Sequence, residues 1–134
     1  MVAPNTIIPL KAVLFDFGGV VAEEGFRKGF EAIAAENGLD PGFLYTLAVE
    51  AVFESGYITG HKNEADFWQM MRKRSGIQGK SNEVYTEKIL RRFILRPEMI
   101  AIVRVLKSFG LLTAILSDQT DWLDRLDARD HFFP

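Results

Sequence analysis

Val13-Leu14-Phe15-Asp16-Phe17-Gly18-Gly19-Val20-Val21 is an apolar run that carries a single carboxylate near its middle and follows it with two glycines. A short apolar run closed by glycine reads as a parallel strand buried on both faces, and such strands direct their carboxyl ends at a ligand crevice. Asp16 therefore stands where the functional groups of open α/β sheets stand. A carboxylate at the mouth of a buried strand is costly unless it is used.

The 134 residues are about one domain by length, and a 48% apolar content is ample for a core. A net charge of -2 offers no basic surface, so neither nucleic acid nor an anionic membrane is expected as a partner. The sequence holds no cysteine, which leaves no disulfide framework and no thiolate metal site. Met1 to Leu10 lack the charged and apolar regions of a leader, and no stretch approaches the roughly 20 apolar residues that span a bilayer. A soluble, cytoplasmic protein is expected.

After Val21 the period changes from strand to helix. Phe26, Phe30, Ile33 and Ala34 recur at helical spacing over about residues 25 to 37, closed by Asn37-Gly38. Asp40 and Pro41 begin a second helix with Phe43, Leu44, Leu47, Ala48, Ala51 and Val52 on its apolar face, closed by Ser55-Gly56. Asn63 caps a third that buries Phe67, Met70 and Met71 and ends at Ser75-Gly76. Ser81 caps a fourth, with Val84, Tyr85, Ile89, Leu90 and Phe93 as its buried side. Pro97 opens a fifth, with Ile100, Val103 and Leu106 in register and Gly110 as its stop. Leu111 to Leu116 is a second apolar run of strand length, and Asp121 to Arg129 reads as a last amphipathic helix.

The order strand, helices, strand, helix predicts an α/β fold with a parallel sheet. A crossover needs one helix, and this one holds about five. The helix from Pro97 is the crossover; the rest is an inserted helical bundle. The expected division is a core over residues 1–21, a helical cap over 22–95, and a second piece of core over 96–134.

Phe15-Asp16-Phe17-Gly18-Gly19-Val20 resembles the first motif of the haloacid dehalogenase (HAD) superfamily, a strand ending in a nucleophilic Asp and a turn. Ile115-Leu116-Ser117-Asp118 is similar to its second motif, a strand ending in a Ser or Thr that holds the transferring group. Arg96-Pro97-Glu98, the helix and Gly110 match the usual approach to that second motif. The resemblance implies a partial HAD-like Rossmannoid parallel sheet with a C1-type cap between the motifs. It also implies a Mg²⁺-dependent phosphatase acting on a small phosphorylated metabolite. Asp16 would attack phosphorus, Asp16 and the Gly18 carbonyl would bind Mg²⁺, and Ser117 would hold a phosphoryl oxygen at the start of the last helix, with Gly18, Gly19 and Asp118 as further substrate contacts. A carboxylate becomes an effective nucleophile when its electrophile's charge is neutralised, as a metal-bridged phosphoryl group allows.

Plainer roles exist for the same residues. Asp16 can cap a turn, and Ser117 can cap a helix. His61 and His131 read as solvated, and Glu23, Glu24, Asp118, Asp121, Asp124, Asp127 and Asp130 read as a solvated loop and helix face. Glu23, Glu24 and Arg27 are the candidates for substrate contact near the mouth.

Two departures from the family pattern shape the expectation. Its commonest phosphatase form has an Asp two positions after the nucleophile as acid and base, where this chain has Gly18; such proton transfer contributes about 10² to 10⁴ in rate. The family's later Lys and acidic motif have no counterpart before Pro134. Weak or absent Mg²⁺ binding, low activity and a parent of roughly 200 residues are therefore expected. The incomplete sheet would favour a homodimer or a swapped assembly. The alternative is a non-catalytic HAD-like module. A metal-independent 2-haloacid dehalogenase fits less well, because Gly19-Val20 does not match the aromatic-Gly-Thr turn of those enzymes.

Overall fold

The computed structural model describes residues 7–133; Met1 to Thr6, in which most of the leader reading lies, and Pro134 are outside the described residues. Among the described residues the chain is mixed α/β, with six helices and one parallel two-stranded sheet. Strand β1 (Ala12–Phe15) is followed by helices α1 (Gly25–Glu36), α2 (Pro41–Glu54), α3 (Glu64–Ser75), α4 (Asn82–Leu90) and α5 (Pro97–Ser108). Strand β2 (Leu112–Ile115) and helix α6 (Trp122–Asp130) complete the order. No helix among the described residues is long and apolar enough to cross a membrane.

The helix starts follow local chemistry. Asp40 accepts a hydrogen bond from the Phe43 N–H with Pro41 at the first helical position, and Ser81 accepts from the Val84 N–H. Asn63 and Asp66 form a reciprocal capping box, and Gly76 closes the same helix in the left-handed conformation. Helices α1 to α4 pack into one aromatic core in which Phe30, Ile33, Leu44, Phe67, Trp68 and Tyr85 have no exposed surface. The α1–α4 seam is close because Gly29 faces Ile89: a methyl there would sit 2.6 Å from Ile89 Cγ1 and 2.8 Å from its Cα. Phe43 and Val84, read on the apolar faces of α2 and α4, are exposed instead.

The sheet differs from its reading. Ala12, Val13, Leu14 and Phe15 pair with Leu112, Thr113, Ala114 and Ile115, but no residue of either strand is buried. Ile100 and Val103 of α5 share a cleft with Phe15 and Ile115 on one face. On the other, Leu14 is 59% and Leu112 67% exposed. Burial on two faces needs a layer on each, and α5, together with Phe132 and Phe133 after α6, lines a cleft on one. Helix α5 itself has no buried residue.

The two chain segments that join the insert to the sheet are bonded to each other. The Glu23 N–H donates to the Ile94 carbonyl, and the Arg96 N–H to the Val21 carbonyl, both at 2.9 Å. Helix α6 turns toward the insert. Arg125 reaches Glu83 at 2.6 Å, Glu87 at 2.7 Å and Glu64 at 3.5 Å, and Arg129 donates to the Leu90 and Phe93 carbonyls.

Candidate functional site

Because β1 and β2 are parallel and in register at Phe15 and Ile115, the residues that follow them emerge side by side. The Leu116 N–H donates to the Phe15 carbonyl at 2.8 Å, which sets Asp16 and Ser117 at one end of the sheet. Asp16, Gly18, Ser117 and Asp118 line one cavity of about 350 Å³. Its far wall belongs to the insert, through Phe26, Tyr45, Val49, Val52, Phe53 and Ile58.

Asp16 is exposed, and one of its oxygens accepts the Phe17 N–H at 2.7 Å. Its charge is therefore hydrated, and the expected cost of a carboxylate at a buried strand end does not arise. Whatever points to function at Asp16 is the company it keeps. After it the chain makes a compact turn in which the Phe17 carbonyl accepts from the N–H groups of Val20, Val21 and Ala22. Gly19 lies in this turn at φ +83°, a conformation that favours glycine, and a methyl on it would lie 2.7 Å from Glu24 Oε1.

Gly19 is off the cavity wall. Its N–H donates to the Ala22 carbonyl and its carbonyl accepts from Arg96 Nη1 at 2.7 Å, so both backbone groups serve the turn rather than a ligand. Arg96 also forks onto Glu23 at 3.3 Å, and that hydrogen bond holds the Glu23 carboxyl below the usual range. Gly18, by contrast, has space: the nearest atom to a methyl there is a Phe93 ring carbon at 3.8 Å.

Ser117 is half-buried, and its oxygen accepts from Gln119 Nε2 at 3.2 Å, which leaves its hydroxyl hydrogen free to donate. It does not start the last helix. Helix α6 begins only at Trp122, behind Asp121, because Thr120 Oγ1 accepts the Trp122 N–H and holds the preceding residues as a loop. An anion at Ser117 therefore has a hydroxyl beside it, not the first turn of α6.

Of the three candidates for substrate contact, Glu24 and its ion-pair partner Arg27 line the cavity beside Asp16, whereas Glu23 does not. Two further contributors were not legible as such. Asp121, read as solvated, accepts a hydrogen bond from the hydroxyl of Tyr57, in the connection between α2 and α3, and so ties the Ser117 loop to the insert. Trp122 forms part of the cavity wall, and its buried indole N–H is the one buried side-chain polar atom among the described residues without a hydrogen-bond partner.

For a cation the cavity offers two hard carboxylates, Asp16 and Asp118, at its sheet end, where a second, shallower hollow also joins them to Ser117. Among the described residues no three acidic or imidazole side chains lie close enough to share one ion. Mg²⁺ commonly takes one or two carboxylates and completes its shell with water and phosphate oxygens, so this donor set suits it in kind. Compared with known proteins, the chain matches no family model, no curated protein and no solved structure.

Proposed function

We propose that this chain carries the nucleophile of a HAD-like phosphomonoester hydrolase, with the helical insert as its cap. The observation behind this reading is that Asp16 and Ser117, separated by five helices in sequence, stand together at the ends of paired parallel strands on a cavity walled by that insert. In this reading the free oxygen of Asp16 forms a bond to phosphorus as the ester P–O bond breaks. Water then cleaves the acyl phosphate, restoring Asp16 and releasing phosphate. Ser117 donates to a phosphoryl oxygen. Gly18 has no proton to give, and Glu24 is the carboxyl on the same cavity that can protonate the departing alcohol. Asp16, Asp118 and the Gly18 carbonyl would hold Mg²⁺, which when bound would neutralise phosphoryl charge.

Asp16→Asn is expected to reduce phosphate release from an aryl phosphate to background; release equal to the wild type overturns the reading. Glu24→Gln should slow an alkyl phosphate about 10²-fold while sparing a nitrophenyl ester, whose leaving group needs no acid. A second reading, a non-catalytic HAD-like module, is favoured by the glycine at position 18. It predicts that Mg²⁺ with beryllium fluoride does not bind.

A further inference from the structure

We propose that this site selects phosphate esters of an apolar, ring-sized alcohol, such as an aryl or benzyl phosphate, over phosphorylated polyols. The proposal rests on the phosphoryl reading for one end of the cavity and adds what the other end selects. The two ends are chemically unlike. Asp16, Ser117, Asp118, Gln119 and Thr120 gather at the sheet end. The wall from the insert brings the rings of Phe26, Tyr45 and Phe53 with Val49, Val52 and Ile58, while Phe93, beside Gly18, and Trp122, bonded to Thr120, carry the apolar lining up to the sheet end.

On that wall few groups can answer a ligand hydroxyl. The Trp122 N–H is buried away from the surface. Glu24, which the phosphoryl reading uses at the ester oxygen, is paired with Arg27 at 3.6 Å, and the Arg27 guanidinium lies 4.3 Å over the Tyr45 ring, so the Tyr45 hydroxyl is the main polar group left on this wall. A polyol would set several hydroxyls against carbon, and a site without partners for buried polar groups rejects them. A flat ring would displace water from apolar surface and meet the cavity rings edge-on or offset. Phe53 lines the cavity and stands 53% exposed, so a ring bound there would remove part of its face from water.

The test is titration of the full chain, with Mg²⁺, by benzylphosphonate, by methylphosphonate and by a polyol phosphonate of the same heavy-atom count. Benzylphosphonate is expected to bind about tenfold or more tighter than methylphosphonate, and the polyol compound no tighter than methylphosphonate. Phe53→Ser should shrink the benzyl-to-methyl ratio. An unchanged ratio in that variant, equal binding of benzyl and methyl compounds, or a preference for the polyol overturns the proposal and leaves the phosphoryl reading standing. Failure of every phosphonate and of beryllium fluoride to bind overturns the phosphoryl reading, and this proposal with it.

Discussion

The helical insert and the sheet are built from similarly apolar sequence and meet different fates. In the insert Phe30, Phe67, Trp68 and Tyr85 interlock, with ring centroids 5.1 to 6.1 Å apart. In the sheet Leu14 and Leu112 face outward. Burial is a property of two surfaces, and the insert has four helices and α6 to provide both. The strands have each other, one side of α5, and Phe132 and Phe133 after α6. The most cohesive part of the molecule is thus the part that walls the cavity, while Asp16 and Ser117 sit on its least covered element.

That contrast can be broken by paired substitutions. Phe67→Ala, which empties the centre of the insert, should lower unfolding free energy by about 3–5 kcal/mol in chemical denaturation. Leu112→Ser on the open face should stay within about 0.5 kcal/mol. A comparable loss from both would mean that the sheet face is covered in solution. Gly29→Ala should cost about 1–3 kcal/mol, because the added methyl meets the Ile89 backbone, and it should leave the sheet unaffected.

The boundary between the two regions is sensitive to alkali. Burial, and then the hydrogen bond to Asp121, hold the Tyr57 hydroxyl well above its ordinary value of 10.0. The unfolded chain therefore releases this proton first. The stability Tyr57 contributes is complete below pH 10 and falls as pH rises beyond it. Thermal melts between pH 9 and 11.5 should show this loss in the wild type and a shallower one in Tyr57→Phe.

The helix boundaries were legible wherever one side chain and a backbone group within three residues settle them. Asp40, Asn63 and Ser81 cap as their types predict, and Gly76 and Gly110 adopt positive φ after their helices. The pairing of the Asp16 and Ser117 segments was legible from two apolar runs of strand length. The choice of Glu24 over Glu23 as the cavity carboxylate was not, because the fold of the turn at Gly19 decides which of the two lines the cavity. Neither was the Tyr57–Asp121 link, whose partners are 64 positions apart. The start of α6 was legible to within a residue, Asp121 against the observed Trp122; only the placement of Ser117 at that start, which the resemblance implied, does not hold.

By itself the sequence determined which segments are helix and strand, the parallel order of the sheet, and the one carboxylate that ends the first strand. These rest on hydrogen bonds and periodicities that span a few residues. Only the tertiary structure decided that the strands are open and the insert closed, that Glu24 and Trp122 share a cavity with Asp16, and that α6 is tied to the insert by Arg125. Each of those outcomes depends on which surface arrives opposite which, and that is set by the packing of the whole chain.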